Sequence, residues 1–328
     1  MRSRRPGGAR TEKVTSSRAS QWYSECEPII RGVHRELPHP CSILAARDRE
    51  RTHTPMARPP RTLDQSNYEV ILIDKREDGV AVITLNRPER HNAVGGPMHT
   101  ELAQLPGDIQ DDEDVRVAVL TGAGRSFCSG ADVEASFGDP SLDPALPLGL
   151  EGEARNIVDG FLRLDKPVIT AVKGYALGLG ATVALLGDIV LAGRSVRIGD
   201  THVVVGITAG DGGAVLWPQL IGPQAAKYYL FTGEHVDAET AERLGLVFRV
   251  HDDEDLLDEA IAMASRIAAG APYAIRTTKR AINRSLERIS QDVMPFSLAA
   301  EGLAMKTDDM GEAVAAFSER RAPQFKGR

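Results

Sequence analysis

Residues 164–213 read LDKPVITAVKGYALGLGATVALLGDIVLAGRSVRIGDTHVVVGITAGDGG, and this stretch decides the fold. The apolar, β-branched run at 167–172 predicts a buried strand, and a glycine-rich turn at 174–180 leads into an apolar, helix-forming run. A second strand is predicted at 188–192. A strand, a glycine turn and a helix start in this order direct backbone N–H groups toward a negatively charged oxygen.

A polar loop follows the second strand and carries side chains that can move protons. It contains Asp200, Thr201, His202 and Asp211. Histidine titrates near neutral pH and can act as base, acid or both, while an aspartate can orient it or act alone. Asp211 also precedes a predicted helix at 212–221, where aspartate is a favoured cap. Asp200 and Thr201 are residue types typical of turns.

The sequence outside this stretch predicts strands that alternate with helices, followed by helices alone. We predict a hairpin at 69–85, a helix at 97–109, a buried strand at 115–121 and a Pro- and Gly-rich loop at 137–150. After Asp211 the pattern predicts helices at 212–221, 223–231, 238–244, 254–269, 272–287, 293–306 and 308–321. This order indicates an α/β protein with a helical C-terminal region.

The net charge of −7 combines two unlike parts of the chain. Residues 1–55 carry 11 Lys and Arg against 6 Asp and Glu and have no apolar periodicity. We therefore expect 1–62 to be a disordered or mis-started extension, because the globular pattern begins only after Met56. The remainder, with 28 basic and 40 acidic residues, argues against a nucleic-acid partner. No apolar run is long enough to predict a membrane span.

The three cysteines, Cys26, Cys41 and Cys128, show no metal-ligand spacing and form no disulfide framework. We therefore expect a reduced, cytoplasmic setting and no bound metal. Cys128 is the cysteine of the globular part, and it is better interpreted as a buried small apolar residue than as a nucleophile.

Two glycine-rich turns each follow a predicted strand, at 127–132 and at 178–180. Neither is a phosphate-binding loop, because no Gly-Lys-Ser/Thr sequence follows. The second resembles a dinucleotide fingerprint only in Gly178-x-Gly180, with Val183 at the third glycine position, so a nicotinamide enzyme is poorly supported. One backbone donor from each turn could form an oxyanion hole. The alternative is that both turns serve tight packing alone.

A series of motifs occurs in one order along the chain. It comprises Ile83-Thr84-Leu85-Asn86-Arg87-Pro88 with Asn92-Ala93, Phe127-Cys128-Ser129-Gly130-Ala131-Asp132-Val133, Lys166-Pro167-Val168, Gly174-Tyr175-Ala176-Leu177-Gly178-x-Gly180, Gly187-Asp188-Ile189 and a closing Glu312-Ala313, Ala316-Phe317, Arg320-Arg321, Pro323-x-Phe325. From about residue 66 to the C-terminus these motifs resemble the enoyl-CoA hydratase/isomerase (crotonase) family.

The resemblance implies a fold and an assembly. The expected fold is a crotonase-like spiral of repeated ββα units at 63–268, followed by a C-terminal helical trimerisation region at 269–328. It also implies a homotrimer or a hexamer. The expected substrate is an acyl-CoA thioester, with coenzyme A entering as part of the substrate and no separate cofactor.

The resemblance also assigns site residues by motif position. The two oxyanion donors would be the backbone amides of Ser129 and Leu179, which would hold the thioester carbonyl between them. The residues expected to hold coenzyme A are Arg90, Ala131, Asp132, Val133 and Lys326.

The sequence departs from the family pattern at the two glutamates that family hydratases use to place and activate water. Those positions are Thr182 and His202 here. A threonine hydroxyl does not titrate usefully, so the usual two-glutamate hydration mechanism is not expected. His202 and Asp211 are the candidate replacements. A glutamate farther along the chain, Glu301, could face a neighbouring subunit's active site, but a solvated glutamate on a helix surface is the better-supported expectation.

Three functions remain open at this point. The first is an enoyl-CoA hydratase/isomerase-like lyase or isomerase that works through an oxyanion-stabilised enolate. The second is a C–C bond hydrolase of the β-diketone type, which would use His202 and Asp211. The third is a family member that binds acyl-CoA without catalysis, supported by the loss of both glutamates.

Overall fold

The computed structural model describes residues 62–132 and 148–328, with the backbone alone for 148–151. Three predictions fall on other residues and lie outside this description. They are the extension at 1–62 except Thr62, the loop at 137–150 up to residue 147, and the coenzyme A role of Val133. The described residues all belong to one unit of the chain, Arg58–Arg328.

Two β-sheets are built from the strands of the described residues, which are β1 (Ile71–Lys75), β2 (Val80–Leu85), β3 (Val117–Gly122), β4 (Val168–Val172), β5 (Tyr175–Leu177), β6 (Ile189–Gly193), β7 (Arg197–Gly199), β8 (Val236–Asp237) and β9 (Arg249–His251). The larger sheet has the order β1-β2-β3-β4-β6-β9 and is parallel except for the antiparallel β1–β2 pair. The smaller sheet has the order β5-β7-β8.

The described α-helices follow the strands and then continue alone to the C-terminal end. They are α1 (Pro97–Asp111), α2 (Leu148–Arg163), α3 (Leu179–Leu185), α4 (Gly213–Thr232), α5 (Ala238–Leu244), α6 (Leu256–Ala268), α7 (Pro272–Ala304) and α8 (Asp308–Glu319). Short 3₁₀ turns cover Gln65–Asn67, Pro88–Arg90 and His202–Val205. None of the helices in this part of the chain is long and apolar enough to cross a membrane.

The central strands β3 and β4 are buried along their whole length. Continuous apolar runs of this kind are typical of parallel strands whose two faces are both covered. One face of the large sheet packs against α6 through Ala260 and Ala264, which lie in one cluster with Ile169. The other face contributes to the main core, where Leu105 of α1 and Phe161 of α2 are buried.

The unit strand–strand–helix recurs along the chain as β1-β2-α1, β4-β5-α3 and β6-β7-α4. This recurrence confirms the predicted crotonase-like spiral. In the later units the second strand joins the smaller sheet, where β5 and β7 run parallel with Leu177 opposite Gly199. Because parallel strands end at the same edge, the residues that follow them, Gly178–Leu179 and Asp200–His202, become neighbours.

The C-terminal helices differ from the prediction at one boundary. The predicted helices at 272–287 and 293–306 form one helix, α7, which contains Pro295. Residues 288–292 contain neither Gly nor Pro to end a helix, and the buried Met294 and Leu298 continue the apolar face. The predicted break between 221 and 223 does occur, because Gly222 has non-helical dihedrals (φ 78°, ψ 156°) inside α4.

Candidate active site

The first turn of the site joins β5 to α3 at Gly178. This glycine has φ 51° and ψ −126°, a left-handed conformation that residues with a Cβ rarely adopt. Its N–H donates to the Gly199 carbonyl oxygen at 2.9 Å and so holds the turn against β7. Leu179 begins α3, where the first backbone amides have no acceptor within the helix.

The second turn lies beside the first because residues 127–128 run along β5. The Cys128 amide donates to the Tyr175 carbonyl at 2.9 Å, and the Leu177 amide returns a hydrogen bond to the Cys128 carbonyl at 3.0 Å. A Cβ on Gly130 would lie only 2.7 Å from the Leu177 carbonyl oxygen, so the two backbones approach closely there. The predicted convergence of the two glycine turns therefore has a direct geometric basis.

The amides of the second turn are not equally available. The Ser129 N–H, expected as an oxyanion donor, donates to the His91 carbonyl oxygen at 3.0 Å. An amide has a single hydrogen, so this bond removes Ser129 from the set of free donors in the structure. Within the described residues, the amides of Ala131 and Leu179 donate to no protein acceptor. In the structure the Ser129 amide is thus occupied by the His91 carbonyl, and among the described residues the unoccupied amide of this turn belongs to Ala131.

His202 lies between two carboxylates in the loop after β7. Its Nδ1 is 2.6 Å from Asp200 Oδ1, and its Nε2 is 3.2 Å from Asp211 Oδ2. All three side chains are buried. A Cβ on Gly178 would lie 3.7 Å from His202 Cε1, so the imidazole is adjacent to the first glycine turn. The structure therefore brings the two predicted proton-transfer residues together next to the Leu179 amide.

Asp200 is a full member of this group, which the sequence did not indicate. Its side chain has no exposed surface, and its Oδ2 has no hydrogen-bond partner among the described residues. The prediction of an ordinary turn residue is therefore incomplete. The hydrogen bond from the His202 ring fixes the orientation of the imidazole.

Thr182 connects the helix of the first turn to Asp211. Its hydroxyl donates to Asp211 Oδ1 at 3.3 Å, and the Thr182 side chain is buried on α3. Asp211 therefore contacts a hydroxyl through one oxygen and an imidazole through the other. It precedes α4 in sequence, but Gly212 occupies the cap position of that helix, and no side-chain cap hydrogen bond is formed there.

A third carboxylate enters the site from α7. Glu301 is only 7% exposed, and its Oε1 lies 3.9 Å from His202 Nε2. The expectation of a solvated surface glutamate is wrong, because α7 packs directly on the loop that carries Asp211. Ser297, one turn earlier, donates its hydroxyl hydrogen to the Gly210 carbonyl at 2.9 Å. A Cβ on Gly210 would overlap the Glu301 carboxylate, which shows how close this packing is.

The carboxylates decide the charge of His202. Burial alone would lower the pKa of the imidazole, but the charges of Asp211 and Asp200 and the hydrogen bonds to them raise this pKa well above 6.5. This raised pKa favours the imidazolium form, in which Nδ1 hydrogen-bonds to Asp200 and Nε2 pairs with Asp211. Cys128 has the opposite character, because burial raises the pKa of its thiol to about 12. This thiol is thus a poor nucleophile.

The raised pKa of His202 predicts how stability depends on pH. A protonated group that is favoured in the folded state contributes full stability below its unfolded pKa of 6.5, and this contribution is lost as pH rises through the folded value. We expect the free energy of unfolding to fall on the alkaline side in the wild-type protein. The part of the fall between pH 6.5 and pH 9, below the range where the raised pKa of the Cys128 thiol also lowers stability, should be absent in His202→Gln, as measured by urea unfolding across a pH series.

The matched control for this prediction is His235→Gln. Burial and the charge of Arg197 lower the pKa of His235, so this ring is neutral in the folded protein above neutral pH. The His235→Gln variant should therefore keep the alkaline loss of stability. A slope between pH 6.5 and pH 9 that survives in His202→Gln would show that another group causes it.

The residues expected to hold coenzyme A are placed in two regions. Arg90 ends the 3₁₀ turn of the loop after β2, and Asp132 donates its amide to the Val94 carbonyl at 2.8 Å, so this loop and Ala131 are neighbours. The Asp132 carboxylate pairs with Arg87 at 3.2 Å. Lys326 lies in the tail after α8, where its amide donates to Asp309.

Metal-binding geometry is not seen in the part of the chain that the structure describes. There, no group of three or more His, Cys, Asp or Glu side chains is arranged to hold a metal ion. The acidic cluster around His202 is instead joined by the hydrogen bonds and ion pairs described above.

Most of the chain is similar in sequence to known proteins of one family. Residues 75–328 match the sequence model of the family described as Enoyl-CoA hydratase/isomerase. The 1,2-epoxyphenylacetyl-CoA isomerase of Escherichia coli (strain K12) is 37% identical over 77% of this chain and 97% of its own length. The (E)-benzylidenesuccinyl-CoA hydratase of Thauera aromatica is 35% identical over 82% of this chain and 99% of its own length.

Solved structures give the same result. The crystal structure of an enoyl-CoA hydratase/isomerase from Mycobacterium paratuberculosis has a TM-score of 0.71 at 37% identity, covering 75% of this chain and 97% of that one. The enoyl-CoA hydratase/isomerase from Pseudoalteromonas atlantica T6c has a TM-score of 0.72 at 28% identity, covering 79% of this chain and all of the other. The chain therefore belongs to the enoyl-CoA hydratase/isomerase, or crotonase, family.

Proposed function

We propose that this family enzyme acts on an acyl-CoA thioester by forming an oxyanion-stabilised enolate and moving one proton between carbon atoms. The reaction that fits best is double-bond isomerisation. The observation that carries the proposal is the state of His202, whose two ring nitrogens both face carboxylates at 2.6 and 3.2 Å. An imidazolium held in this way cannot accept a proton from water.

The oxyanion hole of the proposed mechanism uses the backbone amides of Ala131 and Leu179. Both amides lie on the adjoining glycine turns and have no protein acceptor among the described residues. Two preorganised N–H donors stabilise the negative charge that develops on the thioester oxygen when the α-carbon loses a proton. Ser129 then has a supporting role, because its amide fixes the turn to the His91 carbonyl.

Asp211 is the proposed base. It takes the proton from the α-carbon of a 3-enoyl thioester, which gives a dienolate, and it returns the proton to the γ-carbon, so that the double bond moves from C3–C4 to C2–C3. His202 is the positioning residue, because its imidazolium holds one oxygen of Asp211 while the Thr182 hydroxyl holds the other. One base is sufficient for this reaction, whereas hydration also needs a group that activates water.

The remaining parts of the proposal concern coenzyme A, assembly and location. We infer that Arg90, Ala131, Asp132, Val133 and Lys326 hold coenzyme A, which enters with the substrate. The C-terminal helices expose large apolar side chains that support assembly as a trimer or a hexamer. These are Tyr273, Ile282, Phe296, Leu303 and Phe317. A cytoplasmic location is proposed because the described Cys128 is a free cysteine and the cysteine spacing in the sequence forms no disulfide framework.

The test compares a 3-enoyl-CoA with crotonyl-CoA in D₂O, using the full chain and reading products by mass spectrometry and NMR. We expect the 3-enoyl thioester to be converted to the 2-enoyl thioester, with the double bond moved and deuterium at the α- or γ-carbon. Crotonyl-CoA should gain deuterium without gaining water. Rapid formation of a 3-hydroxyacyl-CoA would instead show a hydratase and contradict the proposal.

Two other outcomes would identify the alternative functions. Cleavage of a cyclic β-diketone, with no change in either thioester, would show the C–C bond hydrolase and require a neutral His202. Binding of both thioesters with no chemical change in any substrate would show a non-catalytic acyl-CoA-binding protein. The His202 and Asp211 ion pair argues against this last outcome, because a binding module has no need of it.

A further inference from the structure

The side chain of Glu301 is the part of the site that the proposed mechanism does not yet use. Its Oε1 is 3.9 Å from His202 Nε2, the same nitrogen that lies 3.2 Å from Asp211 Oδ2. A ring nitrogen carries one hydrogen, so it bonds to the nearer carboxylate. The Glu301 carboxylate is an alternative acceptor, because its Oε1 lies less than 1 Å farther from Nε2 than Asp211 Oδ2 does.

The reaction changes the need for that hydrogen bond. When Asp211 takes a proton from the substrate carbon, it becomes neutral and no longer compensates the imidazolium. A buried cation without a partner is unfavourable. Asp200 compensates the ring only through Nδ1, on the opposite side. Asp200 still balances the ring charge, but the Nε2–H is left with a neutral and weaker acceptor while the proton resides on Asp211, so a charged acceptor at Nε2 stabilises this state.

We propose that Glu301 is a positioning residue that accepts the His202 Nε2–H while Asp211 is protonated, so that the imidazolium stays paired through the reaction. The proton from the substrate carbon moves to Asp211, and the Nε2–H turns from Asp211 Oδ2 to Glu301 Oε1. When Asp211 returns the proton to carbon, the original hydrogen bond forms again. No net charge or proton is gained, and the inference rests on the proposed function.

Within the described residues, the titratable groups that face His202 come from several elements. The loop after β7 supplies Asp200, the segment before α4 supplies Asp211, and α7 supplies Glu301. The neutral thiol of Cys128 faces Asp211. Helix α8 approaches the loop at Gly206 with the backbone of Asp309, whose carboxylate accepts from the amides of Lys326 and Gly327.

The test measures the protonation of His202 without substrate, so it is independent of turnover. His202 is observed by NMR in protein labelled with ¹³C-histidine, and its signal is assigned from the spectrum of His202→Gln. The pKa is measured in four forms: wild type, Glu301→Gln, Asp211→Asn and the double variant. Asp211→Asn carries a neutral side chain of the same shape and so imitates the protonated aspartate.

The expected result is a coupled effect. In wild type, Glu301→Gln should lower the His202 pKa only slightly, because Nε2–H is bonded to Asp211. In Asp211→Asn, the same change should lower it by about one to three units, since Glu301 is then the charged partner of Nε2. Equal shifts in both backgrounds, or no shift in either, would overturn the proposal.

Glu287→Gln is the matched control for packing. Glu287 lies on the same helix, is equally buried at 7% exposure and pairs with Arg284 at 3.1 Å away from the site. Its replacement should leave the His202 pKa unchanged in both backgrounds. If the NMR result holds and no substrate turns over, the proposed function fails while the Glu301 contact stands, so the two failures are distinguishable.

Discussion

Replacing Asp211 by Asn will lower kcat by about 10²–10⁴-fold with little change in KM. The range is that of a general base removed from a site that keeps its shape. Asn keeps the volume of the side chain and can still contact the Thr182 hydroxyl and the His202 ring. It cannot take a proton from carbon. Steady-state kinetics with a 3-enoyl-CoA, under the conditions that give turnover in wild type, measures both constants.

A buried carboxylate outside the site provides the control for this prediction. Asp159 on α2 is 9% exposed and accepts a hydrogen bond from Ser290 at 2.8 Å. Asp159→Asn should lower the free energy of unfolding and leave kcat within about threefold of wild type. Wild-type kcat in Asp211→Asn would show that the base is another residue and would end the proposed assignment.

Replacing Leu179 by Pro will remove an oxyanion donor and lower kcat by about 10²–10³-fold, the loss seen when one such donor is removed. Leu179 is the first residue of α3, the position where helices accept proline. The preceding residue must be compatible with proline, and Gly178 is, because φ 51° and ψ −126° mirror an extended conformation that glycine adopts freely. The kinetics are measured with the same thioester.

Leu179→Ala is the control that separates the amide from the side chain. Leu179 is 6% exposed, so both variants lose packing of the leucine side chain in the core. Alanine keeps the N–H and should retain most of the wild-type kcat, whereas proline should not. Equal activity of the two variants would show that the Leu179 amide does not contact the reacting oxygen. Circular dichroism and the melting temperature establish that each variant is folded.

The fold was largely predictable because its strands and breaks have local signals. The continuous apolar runs of β3 and β4 and the glycine break at Gly222 were all expected and are present. The single long helix α7 was not expected. The helix continues through Pro295. Its buried face, which includes Met294, packs against other helices, and a local sequence pattern does not show those tertiary contacts.

The site was predictable only where residues follow a motif at fixed spacing. His202 and Asp211 were identified in this way, and the structure places them 3.2 Å apart. Asp200 was interpreted as a turn residue. Its burial comes from packing against the start of α4 at Gly213, and the sequence around Asp200 does not show this tertiary contact. Glu301 is ninety-nine positions after His202, and nothing near it in sequence distinguishes it from a surface glutamate.

The Ser129 amide shows a related difference between motif position and structure, because it donates to a protein carbonyl. Motif position indicates which turn supplies a donor, but not which amide of that turn is free. The His91 carbonyl that occupies the Ser129 amide is contributed by a loop far earlier in the chain. That loop places His91 at φ 52° and Asn92 at φ 55°, conformations that a sequence pattern does not reveal for residues other than glycine.

The enzyme is proposed to form an enolate whose oxygen is held by the backbone amides of Ala131 and Leu179, with Asp211 as the base. The most direct test is exchange of the α-protons of butyryl-CoA in D₂O, because a saturated thioester can neither add water nor shift a double bond. We predict deuterium at the α-carbon with wild type, and loss of this exchange in Asp211→Asn and Leu179→Pro. Binding of butyryl-CoA by folded wild-type enzyme without any exchange would contradict the claim.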